Sequence, residues 1–458
     1  MIIAPYYCGK TVGVFGLARS GLAAVQTLMS SGADVWAWDD DPARCAAVGD
    51  AAVDLYEADF QKMQYLMLAP GVPFTHPEPH ALVKKALKYG VTIIGDMDIF
   101  QHARQELEPH KVVAITGTNG KSTTSALIAH ILEHAGRPVA LGGNIGKGVL
   151  ALEPLEEGGV YILEVSSYQI DLMGEFSADI AVLLNITPDH LDRHGDMQGY
   201  VKAKGHLFEM QDLAATAISS FDDEYCLSLM GKVKAKLIPI STVTVLQHGY
   251  FFVDGKVTFT DGAFQQDIDD AVNWPTLRGV HNAQNVLAAV AACTTLGLEI
   301  EEIRSGLKSF PGLEHRQEHI AVARDILFVN DSKATNVEAA AKALASFKNI
   351  RWIAGGRMKE ASLVGLYDVL NNVKVAYLIG QDADNFATEL EGKVPYELCG
   401  QLDVAVERAA LSADAGDVIL LSPACASFDQ YDNFEVRGDA FRAFVMGLDM
   451  LQENEKIA

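Results

Sequence analysis

Short runs of consecutive apolar residues, each ending in a glycine-rich or polar turn, alternate with amphipathic stretches along the whole chain. Strands covered on both faces read this way, and their alternation with helices predicts mostly parallel sheets in an α/β fold. Three such blocks follow one another. In the first, residues 1–102, Thr11–Phe15 is a strand, 16–21 a glycine turn, 22–31 a helix stopped by Gly32, and Asp34–Trp38 a strand ending in Asp39-Asp40-Asp41. This is a dinucleotide-type βαβ pattern with an imperfect fingerprint, because Ala18 stands where a second glycine would admit a pyrophosphate. A later strand, Tyr65–Leu68, ends in Ala69-Pro70-Gly71. In the second block, 103–310, strands at 160–164 and 180–185 run into polar segments, and β-like runs at 242–246 and 250–253 suggest an antiparallel insertion. The third block, 311–458, has strands at Ile326–Asn330, 350–354, 375–379 and Val418–Leu421, separated by alanine-rich helical stretches such as 337–347. The expected fold is α/β in three domains: an N-terminal Rossmann-like domain, a central parallel sheet of the P-loop ATPase type and a C-terminal Rossmann-like domain.

The second block carries the sharpest chemistry. Val112-Val113-Ala114 leads into Ile115-Thr116-Gly117-Thr118-Asn119-Gly120-Lys121-Ser122-Thr123-Thr124 and then a helical stretch at 125–134. A strand feeding a glycine turn that opens a helix gathers backbone N–H groups and the positive end of the helix dipole around one anion. Lys121 adds a point charge for β- and γ-phosphates, and the Ser122 hydroxyl can hold a bridging magnesium ion. Ile115 occupies the place of the usual first glycine, so the loop is a shortened variant. Glu164 ends one strand of the same sheet and His190 follows another, so both should project from its carboxyl edge toward the γ-phosphate as ligands for one or two magnesium ions. Taken alone, His190 would read as a core or helix-capping histidine.

Composition narrows the classes. A chain of 458 residues, 49% of them hydrophobic, is long enough for about three cores. No apolar run approaches the roughly 20 residues of a membrane span, and the N-terminus lacks a basic segment followed by an apolar signal core. The expectation is a cytoplasmic protein without membrane insertion. Six scattered cysteines read as buried free thiols, and a formal charge of −24 argues against a nucleic-acid surface. An anionic ligand must then be bound by local positive groups.

Six segments in chain order are Gly117-Thr118-Asn119-Gly120-Lys121-Ser122-Thr123, the run from Glu164 to Gln169, the run from Asn185 to His194, the run from Gly279 to Asn285, the run from Asn330 to Asn336, and the run from Ser422 to Gln430. Together they resemble the signature blocks of the Mur ligase family, across all three blocks of the chain. The resemblance is strongest to the branch that adds D-glutamate to UDP-N-acetylmuramoyl-L-alanine. It implies that ATP phosphorylates a substrate carboxylate, that an amine attacks the acyl phosphate, and that collapse of the tetrahedral intermediate leaves an amide and expels phosphate.

The same resemblance implies the site residues. Lys121, Glu164, His190 and Lys204 would be catalytic; two magnesium ions would sit on Ser122, Glu164, His190 and Lys204, the last carbamylated by carbon dioxide. ATP would lie on Gly117, Thr118, Asn119, Gly120, Lys121, Ser122 and Thr123, with adenine at Asn282 and Asn285, ribose at Asp331 and Arg316 closing over the nucleotide. Arg19, Ser20, Asp39, Asp40 and Gly71 would hold the UDP part of the substrate, and Asn144 its muramoyl part. D-Glutamate would meet Lys333, Thr335, Lys359, Ser427, Phe428 and Phe434. The expected state is a monomer.

Without the resemblance, Lys204 reads as a solvated helical lysine, Asn282 as a helix cap, Arg316 as a surface residue, and Phe428 and Phe434 as core aromatics. Arg357 replaces the acid of the family's frequent Gly-Gly-Asp-x-Lys, which leaves the partner of Lys359 open. Other readings are a second amide ligase of the Mur or folylpolyglutamate type, or a nucleotide-dependent binding protein without ligase activity. A nicotinamide-dependent oxidoreductase, argued from the glycine turn and Asp39, would leave Lys121, Glu164 and His190 without use.

Overall fold

The computed structural model describes residues 2–274, 276–277, 280–358 and 362–451. They form three largely parallel β-sheets with helices in the connections between strands. The first sheet contains β1 (Thr11–Phe15), β2 (Asp34–Trp38), β3 (Tyr65–Leu68) and β4 (Thr92–Ile94), all parallel and ordered β2-β1-β3-β4. The chain leaves β1 toward β2 and later returns to β3 on the other side. The loops after β1 and β3 therefore flank the point where strand order reverses, which is where open parallel sheets bind ligands.

The second sheet has nine strands: β5 (His110–Thr116), β6 (Val139–Gly143), β7 (Gly159–Glu164), β8 (Ile180–Leu183), β9 (Thr216–Ser220), β10 (Lys236–Ser241), β11 (Gly249–Val253), β12 (Lys256–Thr260) and β13 (Gln265–Asp270). Their order is β13-β12-β11-β10-β9-β8-β5-β7-β6. Strand β5 lies between β7 and β8, so the carboxyl ends of these three strands open side by side. The helix Lys121–His134 crosses from β5 to β6 and buries Leu127, Ile128, Ile131 and Leu132 between the sheet and neighbouring helices. Each such aliphatic side chain contributes roughly 1.5–3 kcal/mol by leaving water.

Two local expectations need correction. Residues 242–246 are a turn, and the strand lies just before them at β10. The Asp222 carboxylate accepts from the Ser241 hydroxyl and from the backbone and hydroxyl of Thr242, and Ser241 Oγ accepts from Thr244 N at 2.7 Å. These side-chain bonds replace the ladder that β-branched residues would otherwise favour. The expected antiparallel insertion is the edge of the main sheet: β11 runs parallel to β10, and β12 alone is reversed, pairing antiparallel with β11 on one side and β13 on the other.

The third sheet contains β14 (Glu318–Ala323), β15 (Ile326–Asn330), β16 (Ile350–Gly355), β17 (Val373–Ile379), β18 (Tyr396–Gly400) and β19 (Val418–Leu421), ordered β14-β15-β19-β16-β17-β18. Only β14 is antiparallel. The helix Val337–Ser346 starts where the Asn336 side chain accepts from Ala339 N, and it buries Val337, Ala340, Ala343 and Leu344 at helical spacing. The chain divides into two compact units, Met1–Pro275 with Val280–Phe310, and Thr276–Gly279 with Pro311–Ala458.

In the second unit Trp352 is fully buried and its indole N–H donates to Ser422 O at 2.7 Å. Trp352→Ala should cost about 3–5 kcal/mol through cavity formation and an orphaned carbonyl. Urea unfolding followed by circular dichroism checks this; a midpoint equal to that of the parent would contradict the packing described.

Candidate active site

The glycine-rich turn 117–120 leaves β5 and enters the helix at Lys121, with Gly120 in the left-handed region at φ +86°. A Cβ on Gly120 would collide with Asn285 Oδ1, so the turn packs directly on the helix Val280–Thr295. Asn285 Oδ1 accepts from the Thr124 hydroxyl at 3.1 Å, and its Nδ2 donates to Asn282 Oδ1 at 3.0 Å. These two asparagines, three apart on one helix face, thus brace the turn from behind. Asn185 holds it from the side: its carbonyl accepts from Thr118 N at 2.9 Å, its Oδ1 from Asn119 N at 2.8 Å, and its Nδ2 donates to Gln284 Oε1 at 2.8 Å. Sequence reasoning gave Asn185 no role, although it stands just beyond a buried strand where a polar side chain signals a turn.

Lys121 folds back over the turn, donating to Gly117 O and Thr118 O, both at 2.8 Å. Lys204, from the helix Met197–Glu209, reaches the same Gly117 carbonyl at 2.9 Å and Thr116 Oγ1 at 3.3 Å. It is 2% exposed, so the solvated helical lysine is excluded. Burial, and next the Lys121 ammonium, push the Lys204 pKa well below the ordinary lysine value. A neutral amine is the form that can react with carbon dioxide.

Glu164, at the end of β7, is buried; Asn144 Nδ2 donates to its Oε1 at 2.8 Å, while Oε2 is buried with no hydrogen-bond partner among the described residues. Ser122 is buried in the first turn of the helix and Thr123 follows it. His190 caps the one-turn helix Leu191–His194 with φ +52°, and it is half exposed. Its Nδ1 pairs with the Tyr168 hydroxyl at 2.9 Å and its Nε2 lies 3.4 Å from Asp189 Oδ2. The Tyr200 hydroxyl meets Thr118 Oγ1 at 3.2 Å. Among the described residues no three histidine, cysteine or acidic side chains converge as metal ligands.

Around the first sheet, Asp39 is committed to the backbone: Leu17 N donates to Oδ2 at 2.6 Å and Asp41 N to Oδ1 at 2.9 Å, with Arg44 at 3.3 Å. Burial raises its pKa, but these partners outweigh burial and hold it below the usual carboxylate value. Asp40 is exposed and accepts from the Tyr56 hydroxyl at 3.0 Å. Arg19 donates to Gly146 O at 2.8 Å and so joins the first-sheet loop to the turn bearing Asn144. Ser20 follows Arg19 in the first turn of the helix Arg19–Ser30, and Gly71 is exposed in the loop after β3.

The second unit gathers a separate set at the carboxyl ends of β15 and β19. Asp331 accepts from Gln317 N at 3.2 Å and from the Ser422 hydroxyl at 2.8 Å. Burial pushes its pKa up to about 7 against these bonds and the charge of Arg316. The Lys333 ammonium lies 5.0 Å from the centre of the Phe434 ring, Thr335 N donates to Lys333 O at 2.8 Å, and Ser427 is buried. Phe428 is 69% exposed, which excludes a core role, and Phe434 is partly buried at the start of the helix Phe434–Met446. Lys359 lies outside the described residues. Arg437, which no motif signalled, is fully buried and ties this set together, with Nε donating to Ser332 Oγ at 3.0 Å and Nη2 to Ser332 O at 2.8 Å and Cys425 O at 3.2 Å.

Two family models match: the Mur ligase middle domain over residues 115–293 and the Mur ligase glutamate ligase domain over 315–425. The chain is 48% identical over 460 residues to a UDP-N-acetylmuramoylalanine–D-glutamate ligase of Chelativorans sp. (strain BNC1), covering 98% of each chain. The chain belongs to the Mur ligase family. A second relative of the same name, from Brucella abortus (strain 2308), is 47% identical over 453 residues and covers 96% of each. Among solved structures, the UDP-N-acetylmuramate-alanine ligase MurC of Thermotoga maritima matches this Mur ligase with TM-score 0.58 at 17% identity, covering 95% of this chain and 99% of that one. A UDP-N-acetylmuramoyl-L-alanyl-D-glutamate–2,6-diaminopimelate ligase matches with TM-score 0.56 at 18% identity, over 86% and 94%. No helix among the described residues is long and apolar enough to cross a membrane.

His194 of this Mur ligase is buried, with Nε2 paired to Ser167 Oγ at 3.0 Å, and burial followed by the Arg193 charge lowers its pKa to about 4. The unfolded value is near 6.5. Its contribution to stability is therefore present above pH 6.5 and is lost as pH falls toward 4. His194→Gln should flatten this part of the stability profile, measured as the difference in urea unfolding between pH 7 and pH 5; an undiminished difference would refute the assignment.

Proposed function

We propose that this Mur ligase uses ATP to join D-glutamate to UDP-N-acetylmuramoyl-L-alanine, a step of peptidoglycan precursor synthesis, through an acyl phosphate. The observation that carries the reading is near full-length identity of 46–48% to enzymes of that name, over 96% or more of this chain. In this reading 1–102 is a Rossmann-like domain for the UDP substrate, 103–310 a P-loop-type domain for ATP and 311–458 a Rossmann-like domain for the amino acid. The protein works as a cytoplasmic monomer.

Phosphoryl transfer is mostly positioning and electrostatics, and the residues supply both. The turn 117–120, braced by Asn185 and Asn285, gives a fixed cradle for phosphates, and Lys121 can swing from the Gly117 and Thr118 carbonyls onto anionic oxygens. The bare Oε2 of Glu164 suits a cation, and Ser122, His190 and a carbamate on Lys204 would hold magnesium with it. Bound there, the ions would neutralise charge on the phosphate oxygens. Carbamylation turns the amine of Lys204 into an anion and removes its conflict with Lys121. Asn282 and Asn285 would border adenine, Asp331 would meet the ribose and Arg316 would close over the nucleotide. Arg19, Ser20, Asp39, Asp40, Gly71 and Asn144 would hold the UDP substrate. Lys333, Thr335, Lys359, Ser427, Phe428 and Phe434 would receive D-glutamate, whose two carboxylates need charged and hydroxyl partners once out of water.

ADP and phosphate release should require UDP-N-acetylmuramoyl-L-alanine and D-glutamate together, with little turnover of L-glutamate, L-lysine or meso-diaminopimelate. Preference for a diamino acid would move the chain to a neighbouring ligase of the family. Lys121→Ala should lower turnover by about 100-fold or more while the protein stays folded; near-normal turnover would sink its role.

Lys204 should take up ¹³C-labelled bicarbonate as a carbamate resonance that Lys204→Ala lacks. That variant should be nearly inactive and partly restored by acetate. A fully active enzyme with an unmodified amine at Lys204 would end the carbamate reading.

A further inference from the structure

We propose that Arg193 is a positioning residue that locks loop 70–76 of the first sheet onto the catalytic edge of the second, and thereby sets affinity for the UDP-linked substrate. What the loop binds rests on the functional reading above; the clamp itself rests on geometry.

Arg193 sits in the helix Leu191–His194 and is 8% exposed. A buried guanidinium usually meets a carboxylate. This one spends its donors on the carbonyls of one loop: Nη1 reaches His76 O at 3.3 Å, and Nη2 reaches Val72 O and, at 3.5 Å, Pro70 O. The planar fork can span several carbonyls at once, which a lysine ammonium cannot do with fixed direction. The other side of the guanidinium lies 5.4 Å from the centre of the Tyr168 ring, and the Tyr168 hydroxyl pairs with His190 Nδ1 at 2.9 Å. Arg193 N also donates to His190 O at 3.0 Å. The loop bearing Gly71 and the turn bearing His190 are thus fastened through one side chain.

A second contact closes the same seam. Gly195 has φ +84°, and a Cβ there would stand 2.8 Å from His76 Nε2, so the loop is seated against bare backbone. A Cβ at 195 would press on the His76 ring, and the positive φ there would strain any L side chain.

The test compares Arg193→Ala, Arg193→Lys and Gly195→Ala with the parent by calorimetric binding of UDP-N-acetylmuramoyl-L-alanine and, separately, of magnesium–ADP. The clamp predicts at least tenfold weaker binding of the UDP substrate, ADP binding within about twofold, and KM for the UDP substrate rising more than kcat falls. Unchanged UDP-substrate affinity, or equal loss for both ligands, would overturn it. If Arg193→Ala does not fold, Arg193→Lys decides by the same split. Amide hydrogen exchange over 70–76 without any ligand should accelerate in both Arg193 variants. Failure of the parent to bind the UDP substrate while this exchange effect holds would overturn the functional reading and leave the clamp standing.

Discussion

Two lysines reach for one carbonyl oxygen, and much of the catalytic edge is arranged around that conflict. Lys121 approaches Gly117 O from the start of its helix and Lys204 from the helix Met197–Glu209, at 2.8 and 2.9 Å. Two ammonium groups gathered on one acceptor away from water disfavour each other's charge. Lys204 is the more deeply buried and is the one whose charge is disfavoured. Asn185 holds the turn's backbone through Thr118 N and Asn119 N, and Asn285 packs against Gly120, both independently of either lysine.

The fold was legible where burial on both faces left an unbroken apolar signature. β1, β2, β3, β15 and β19 lie where their apolar runs fall, and the turn before Lys121 follows from strand, glycines and helix in sequence. Residues 242–246 misled because β-branched residues favour strands only when the backbone is free to pair. Asp222, some twenty positions away in sequence, captures that backbone, and no local pattern announces so distant an acceptor. Short strands such as β4 and the edge strand β18 carry too little periodicity to stand out.

The site divides along a similar line. Lys121 and Glu164 could be reasoned from residue type and place in a sheet. Lys204 could not, since a lysine at its spacing is ordinary until tertiary packing buries it; only family resemblance pointed to it. Arg437, Asn185 and Arg193 escaped for a related reason. Their work is to bind backbone carbonyls and amides of segments remote in sequence, and such acceptors have no side-chain identity to read.

Asp331 makes the second unit a proton buffer near neutrality. Its carboxyl is held by Ser422 and Gln317 yet titrates at about pH 7 because burial disfavours the charge. Relative to an unfolded carboxyl near 3.9, the folded unit retains this proton between roughly pH 4 and 7, and the corresponding stability is lost as pH rises through 7. Any partner that prefers the carboxylate, by donating hydroxyl hydrogen bonds or bringing positive charge, must expel the proton when it docks. Heat released on docking would then vary with the ionisation enthalpy of the buffer, so the acid-base state of this one side chain is thermodynamically linked to whatever the unit receives.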